Sequence, residues 1–391
     1  MKRIEIDNIR LCHAQIVFGC SYATDNLDMA NSLILSISSK GVSGWGEVFL
    51  PRVEPQWAWA LKVLPGLIGQ DANESDSLLD RWPAGQRPRM TLEECSTYCH
   101  PEVDLVAEAV SFALYDLVSR QMKRPVRELF GNPVRTVIPG MPCISLADAE
   151  TMASLCKEWV ALGYRYIKIK LSGVLQDDSR RIEATRKAVG TSVSIQVDAN
   201  NSYRSMDHAV EIIAVLNENH VEVIEDLFGF GELADCRKAK DMLEGKYMVD
   251  KDAYWPHVLT LLDQGVAAII NQHPHNQGRV SYALNIARAA AAAGVSSQIG
   301  SSGIFGIQNA AYQQLASVIG TDRPCEEIGL HSYYDGPSRR IYSFDRRPSV
   351  LTAEMPSGGG MILLNNRPGM GVEVDQDKLK SMTVKAEDIG P

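Results

Sequence analysis

No run of about 18 apolar residues occurs in this 391-residue chain, so an ordinary membrane-spanning helix is not expected. The N-terminus has no basic n-region followed by an apolar h-region; MKRIEIDNIRL alternates polar and apolar residues like a strand. There is no basic run or Lys/Arg-rich helix, and 39 basic against 48 acidic residues leave a net charge of −9. A nucleic-acid surface is therefore not expected. The eight cysteines (Cys12, Cys20, Cys95, Cys99, Cys143, Cys156, Cys236, Cys325) include no CxxC pair. A zinc ribbon has little support, and reduced, mostly buried thiols in a cytoplasmic protein are expected instead. The glycine cluster at 358–360 lacks the strand–turn–helix setting of a phosphate cradle and reads as a loop.

What is present is ordinary soluble composition, 45% hydrophobic and 22% charged, in a chain longer than one core usually serves. Residues 1–135 mix hairpin-like strands (NSLILSISSKGVSGWGEV) with helices such as PEVDLVAEAVSFALYDLVSRQ. Over 136–340 eight short apolar runs alternate with amphipathic helices. The runs are VIPGMPCISL, YRYIKIKLS, SVSIQVDAN, VEVIEDLF, KYMVDKDA, VAAIINQH, VSSQIGSS and CEEIGL. That pattern predicts parallel βα units of an α/β protein, and eight such units close a barrel. After 340 turn-rich sequence leads to the end.

In RYIKIKLSG, Ile167, Ile169 and Leu171 share one strand face, and Lys168 and Lys170 share the other. A barrel explains both: the isoleucines meet the outer helices, and the lysines point inward near the mouth where barrel active sites are built. The same phase puts Gln196, Asp198 and Asn200 inside, Glu225 with Val223, and Asp250 with Met248. Asp198, Glu225 and Asp250 are 27 and 25 residues apart, about one βα unit each, and should converge. Three carboxylates at one mouth need a cation to stay ionised. Oxygen-only ligation favours Mg²⁺, with Mn²⁺ a substitute. A lysine beside that ion and a second lysine should have its pKa lowered, making an amine able to take the proton α to a substrate carboxylate.

KIK, VDAN, VIED and VDKD, in this order, resemble the enolase superfamily, in the branch of mandelate racemase and muconate lactonizing enzyme. GVSGWGEV, ALYDL, PVRELFG and PGMGVEVD resemble segments of that family's α+β capping domain. The resemblance implies a modified TIM barrel, (β/α)7β, over 136–340, with an α+β capping domain over 1–135 completed by 341–391. It implies Asp198, Glu225 and Asp250 as metal ligands, Lys170 as base, and Lys168 as the partner that holds the substrate carboxylate. It also implies a homo-oligomer acting on a small carboxylate; from charge and hydropathy, neither nucleic acid nor membrane is expected as a partner.

Departures narrow the chemistry. Where the family carries a second acid/base on the sixth strand, this chain has His273, in phase with Ile269 and Asn271; His275 reads as a loop residue. Gln298 stands where a His–Asp dyad would need histidine, which weakens a sugar-acid dehydratase. Lys251 replaces an acidic residue after Asp250 and is expected to face outward or to pair with Asp226 or Asp252. Asn200, Gln298, Glu326 (favoured over Glu327) and Tyr22 are candidates for the pocket around the substrate, Asn200 more as an organiser of the site than a ligand. The lid segments 17–26 and 47–55 include Tyr22 and Arg52. The leading expectation is a racemase or epimerase of an amino-acid-like or hydroxy-acid substrate. A lyase or dehydratase and a muconate-type cycloisomerase stay open, as does a non-catalytic ligand-binding homologue.

Overall fold

The structure is a computed structural model that describes every residue except 1, 22–25, 96–98, 230, 274–275, 301–304, 320–322, 327–332, 336–339 and 343–348. Three long antiparallel strands come first: β1 (Asn8–Ser21), β2 (Asn26–Ser39) and β3 (Val42–Phe49). The helix Leu105–Gln121 packs on β3 and β2. Its start is fixed by Asp104, whose side chain accepts from the Ala107 N–H at 3.0 Å. The glycines of GVSGWGEV exist for this contact. A Cβ on Gly44 would lie 2.2 Å from the Ala113 carbonyl oxygen, and one on Gly46 would lie 2.0 Å from that of Ala109. Only glycine lets strand and helix approach so closely.

The barrel strands follow: β4 (Val137–Met141) and β5 (Cys143–Ile144), which together form the first stave, then β6 (Tyr166–Lys170), β7 (Ser194–Asp198), β8 (Val223–Glu225), β9 (Lys246–Val249), β10 (Ile269–Gln272), β11 (Ser296–Ile299) and β12 (Cys325–Glu326). Neighbours from β5 to β12 pair in parallel, and β12 pairs with β4, so the eight staves close through the first. The fold is therefore the α/β barrel that the alternation of runs predicts, beside an antiparallel sheet domain. The phase prediction holds as well. Ile167, Ile169, Leu171, Ile195 and Val197 pack with helix residues Met152, Cys156, Ile182 and Ile212 outside the barrel. Val223, Met248 and Ile269 form a small apolar cluster inside it.

The C-terminal strands divide between the sheets. β13 (Tyr333–Asp335) and β14 (Arg340–Tyr342) extend the antiparallel sheet beyond β1. Of the remaining strands, β15 (Ser357–Gly358) and β16 (Met361–Leu363) attach to β4, whereas β17 (Thr383–Ile389) pairs with β1. Two buried carboxylates join the layers. Glu47 on β3 accepts from the backbone N–H groups of Phe305 (2.9 Å) and Gln308 (3.1 Å) at the start of the barrel helix Ile307–Ala316. Glu108 accepts from the Gly278 N–H (2.9 Å), the Tyr312 hydroxyl (2.8 Å) and the Gln308 amide (3.1 Å). Removing either would leave buried donors unpaired, at roughly 1–3 kcal/mol each. No helix of the described residues is long and apolar enough to cross a membrane. Cys12, Cys95, Cys99, Cys143, Cys156, Cys236 and Cys325 are buried, and none of them forms a disulfide.

Candidate active site

Parallel pairing in register places Lys170, Asp198 and Glu225 side by side at the ends of β6, β7 and β8. Asp250 follows β9 directly. All are buried: Lys168 1%, Lys170 5%, Asp198 1%, Glu225 0% and Asp250 5% exposed. Lys170 donates to Asp198 Oδ2 at 2.6 Å. The Lys168 ammonium lies 3.1 Å from Asp198, 2.8 Å from Glu225 and 2.9 Å from Glu326.

Around these groups other side chains hold orientation. Gln196 Nε2 donates to Glu225 Oε2 at 2.7 Å, and Asn271 Nδ2 to Glu225 Oε1 at 2.8 Å. Asn200 and Asp226 both adopt positive φ, 45° and 44°, at the ends of their strands. Asn and Asp tolerate that conformation best after glycine. The Asn200 N–H donates to Asp198 Oδ1, and the Asn200 Oδ1 is buried without a hydrogen-bond partner. The turned-in Asp226 accepts from the backbone N–H groups of Asp250 (3.0 Å) and Lys251 (3.2 Å), which fixes the end of β9.

The depression expected for the lysines presumes a cation beside them; the protein's own groups act the other way. Burial pulls Lys168 and Lys170 down, but the facing carboxylates, Asp198 foremost, outweigh it and hold both above the ordinary lysine range. The predicted depression through lysine–lysine repulsion is real but smaller. Burial, reinforced by the Asp198 charge, pushes Glu225 up to about 7. Burial also pushes Asp250 up to about 7, opposed by Lys168 and reinforced by Asp198. Lys251 is 3% exposed rather than turned outward, and Asp226, one of its two expected partners, exerts the largest charge pull on it. Burial lowers its pKa against the pull of Asp226, Asp198 and Asp250, so its charge belongs to the site.

These residues fit a divalent cation in donor type and charge. Fully ionised, the five buried carboxylates (Asp198, Glu225, Asp226, Asp250, Glu326) would outnumber the three buried ammonium groups (Lys168, Lys170, Lys251) by two charges, an excess that a divalent cation would offset. Asp250 Oδ1 is buried with no hydrogen-bond partner. Among the described residues no three His, Cys, Asp or Glu side chains are already grouped to hold an ion. Two of the three expected ligands, Asp198 and Glu225, instead share the Lys168 ammonium.

His273 follows β10, the sixth stave, on the wall opposite the second stave that carries Lys170. Gly300, at the end of β11, makes room for it: a Cβ there would lie 2.5 Å from His273 Cδ2. Of the pocket candidates, Glu326 is in the site, bound to Lys168. Gln298 is fully buried, and both ends of its amide are engaged inside the barrel, by Gln196 (2.9 Å) and Arg323 (3.2 Å). These bonds make it an internal strut of the barrel. Tyr22, His275 and Glu327 lie outside the described residues. Arg52 pairs with Glu94. Gln196 and Asn271 are legible from strand phase and Asp226 as an expected partner of Lys251, whereas Gly300 and Arg323 carry no pattern that marks them.

A profile of the family described as Enolase C-terminal domain-like matches residues 151–378. The chain is 23% identical over 375 residues to the N-succinyl-L-Arg/Lys racemase of Bacillus cereus, covering 94% of each chain. The crystal structure of that racemase superposes with a TM-score of 0.82 at 21% identity, over 98% of this chain and 100% of that one. A dipeptide epimerase of Enterococcus faecalis, crystallised with Mg and the dipeptide L-Leu-L-Tyr, superposes with a TM-score of 0.75 at 21% identity, over 95% and 99%.

Proposed function

The chain belongs to the enolase C-terminal domain-like family, and we propose that it is a metal-dependent racemase or epimerase of a small carboxylate whose α-carbon carries an amino-type substituent, such as an N-acylated amino acid or a dipeptide. One observation carries this reading: Lys170 and His273 stand on opposite walls of the barrel mouth, four staves apart. A substrate α-carbon between them presents its proton to one group and its opposite face to the other, as 1,1-proton transfer requires. The similarity to racemases and epimerases supports the same choice among the family's reactions.

Asp198, Glu225 and Asp250 would hold the cation, Mg²⁺ by their oxygen-only character. When bound, it supplies positive charge against the negative charge that builds on the substrate carboxylate as the α-proton leaves. Lys170 would take or return the proton on one face, as a free amine once the Asp198 charge that now raises its pKa is engaged by the cation. His273 does so on the other face. Lys168, ringed by carboxylates, stays charged and serves as a fixed cation for the substrate carboxylate.

The test is α-proton exchange in D₂O with Mg²⁺ and pools of N-acylated amino acids, dipeptides and hydroxy acids, followed by NMR and polarimetry. Exchange with inversion that vanishes in Lys170→Ala supports the reading. If His273→Asn keeps exchange but loses inversion, the two-base assignment stands. Loss of the α-proton signal with new vinylic signals would make the enzyme a lyase instead. Absence of both exchange and metal binding would overturn the catalytic reading.

A further inference from the structure

Barrel interiors of this kind are filled mostly by layers of bulky apolar side chains. Here the apolar interior cluster consists of Val223, Met248 and Ile269, and a continuous polar line runs beside it. Arg323 Nε donates to Gln298 Oε1 at 3.2 Å. Gln298 Nε2 donates to Gln196 Oε1 at 2.9 Å. Gln196 Nε2 donates to Glu225 Oε2 at 2.7 Å. The members are 5%, 0%, 1% and 0% exposed, so water does not compete for their bonds. The other side of Arg323 pairs with Glu222 at 2.9 Å, on a partly exposed carboxylate. Glu222 and Glu225 are three residues apart on the β8 stretch, so the line spans about 10 Å of barrel.

The direction of the line follows from chemistry. A glutamine amide can present oxygen or NH₂ either way round, but a guanidinium has donors and no acceptor. Arg323 therefore admits one orientation of Gln298, oxygen towards it and NH₂ away. That NH₂ admits one orientation of Gln196, which turns its own NH₂ to Glu225. We infer that Arg323 is a positioning residue for Glu225: through Gln298 and Gln196 it dictates that Glu225 Oε2 meets a donor, and so holds the carboxylate in the rotamer that serves the site. Asn271 completes the clamp from Oε1. The significance of Glu225 as a metal ligand rests on the function proposed above; the orientation of Gln196 does not.

Two measurements on the full-length protein test the relay. The first is Mn²⁺ affinity, from the EPR signal of free Mn²⁺, for wild type, Arg323→Met, Arg323→Lys, Gln298→Leu and Glu222→Gln. Arg323→Met and Gln298→Leu are expected to weaken binding by about 10-fold or more, the usual consequence of losing an outer partner of a ligand. Arg323→Lys, also donor-only, should restore most of it, and Glu222→Gln should leave it unchanged. The second is the side-chain amide ¹H–¹⁵N signal of Gln196 in the metal-free protein, assigned by its loss in Gln196→Met. It should shift in Arg323→Met and Gln298→Leu and stay in place in Glu222→Gln. A folded Arg323→Met protein with wild-type Mn²⁺ affinity and an unmoved Gln196 signal would overturn the inference, as would equal losses in Glu222→Gln. If Arg323→Met does not fold, Gln298→Leu breaks the line at its middle and decides the question. A wild-type protein that binds no Mn²⁺ would sink the ligand role of Glu225, while the Gln196 signal would still decide whether Arg323 orients the line.

Discussion

Gly300→Ala should separate the two halves of the proposed proton transfer. The added Cβ would lie 2.5 Å from His273 Cδ2, where ordinary contact begins at 3.4 Å, so the imidazole must retreat by the difference of 0.9 Å. The Asn271 amide atoms, at 3.1 Å, need give only a few tenths of an ångström. Gly300 is not among the glycines with positive φ, so alanine suits its backbone. The strain falls on a side chain that can rotate, and the stability cost should not exceed the roughly 1–3 kcal/mol of ordinary overpacking. A displacement of about 1 Å in an acid/base group costs on the order of 10²-fold in rate. Lys170, on the opposite wall, is untouched. The expected result is racemisation slowed about 100-fold, with α-proton exchange on the Lys170 face close to wild type. Polarimetry and deuterium incorporation on the same sample measure both. A Gly300→Ala enzyme that inverts its substrate at the wild-type rate would refute the reasoning, because His273 would then not be the group on that face.

Other outcomes follow from the same geometry. Gly46→Ala puts a Cβ 2.0 Å from a backbone oxygen, that of Ala109. No side chain can yield there, so β3 and its helix must part, at about 3 kcal/mol or more; an unchanged urea midpoint would count against this. His100 stacks on Tyr254 with ring centroids 3.9 Å apart. Burial, with the charges of His257 and Arg87, pushes its pKa down to about 4. An unfolded histidine titrates near 6.5. Between those values the unfolded chain holds a proton that the folded one refuses, so stability is lost as pH falls through that window. The loss is about 2 kcal/mol, discounted for the partial exposure of the ring. Melting curves of His100→Phe from pH 7 to 4 should be correspondingly flatter, and parallel curves would remove the assignment.

Much of this protein is legible along one dimension. Alternating hydrophobicity locates the eight staves, because a strand between helices and a barrel interior must sort its residues with a period of two. The same period picks out Lys168, Lys170, Asp198, Glu225, Asp250, Asn271 and His273 as inward-facing, since each shares a phase with its stave. Residues at the edges of that period were harder. Lys251 follows its strand, where phase no longer dictates direction, and the chain turns it into the site. Gln298 obeys the phase, but nothing local says whether an inward amide meets substrate or another strut.

What only the tertiary structure decided are the relations between staves distant in sequence. The Lys168 ammonium bridges Asp198, Glu225 and Glu326, carboxylates 30, 57 and 158 residues away from it. The room that Gly300 leaves for His273, the hold of Asp226 on Asp250 and the line from Arg323 to Glu225 are of the same kind. Local pattern encodes which face a side chain takes, because that depends on its own backbone and immediate neighbours. Which partner it meets depends on barrel closure and stagger, and these are set by all eight staves together.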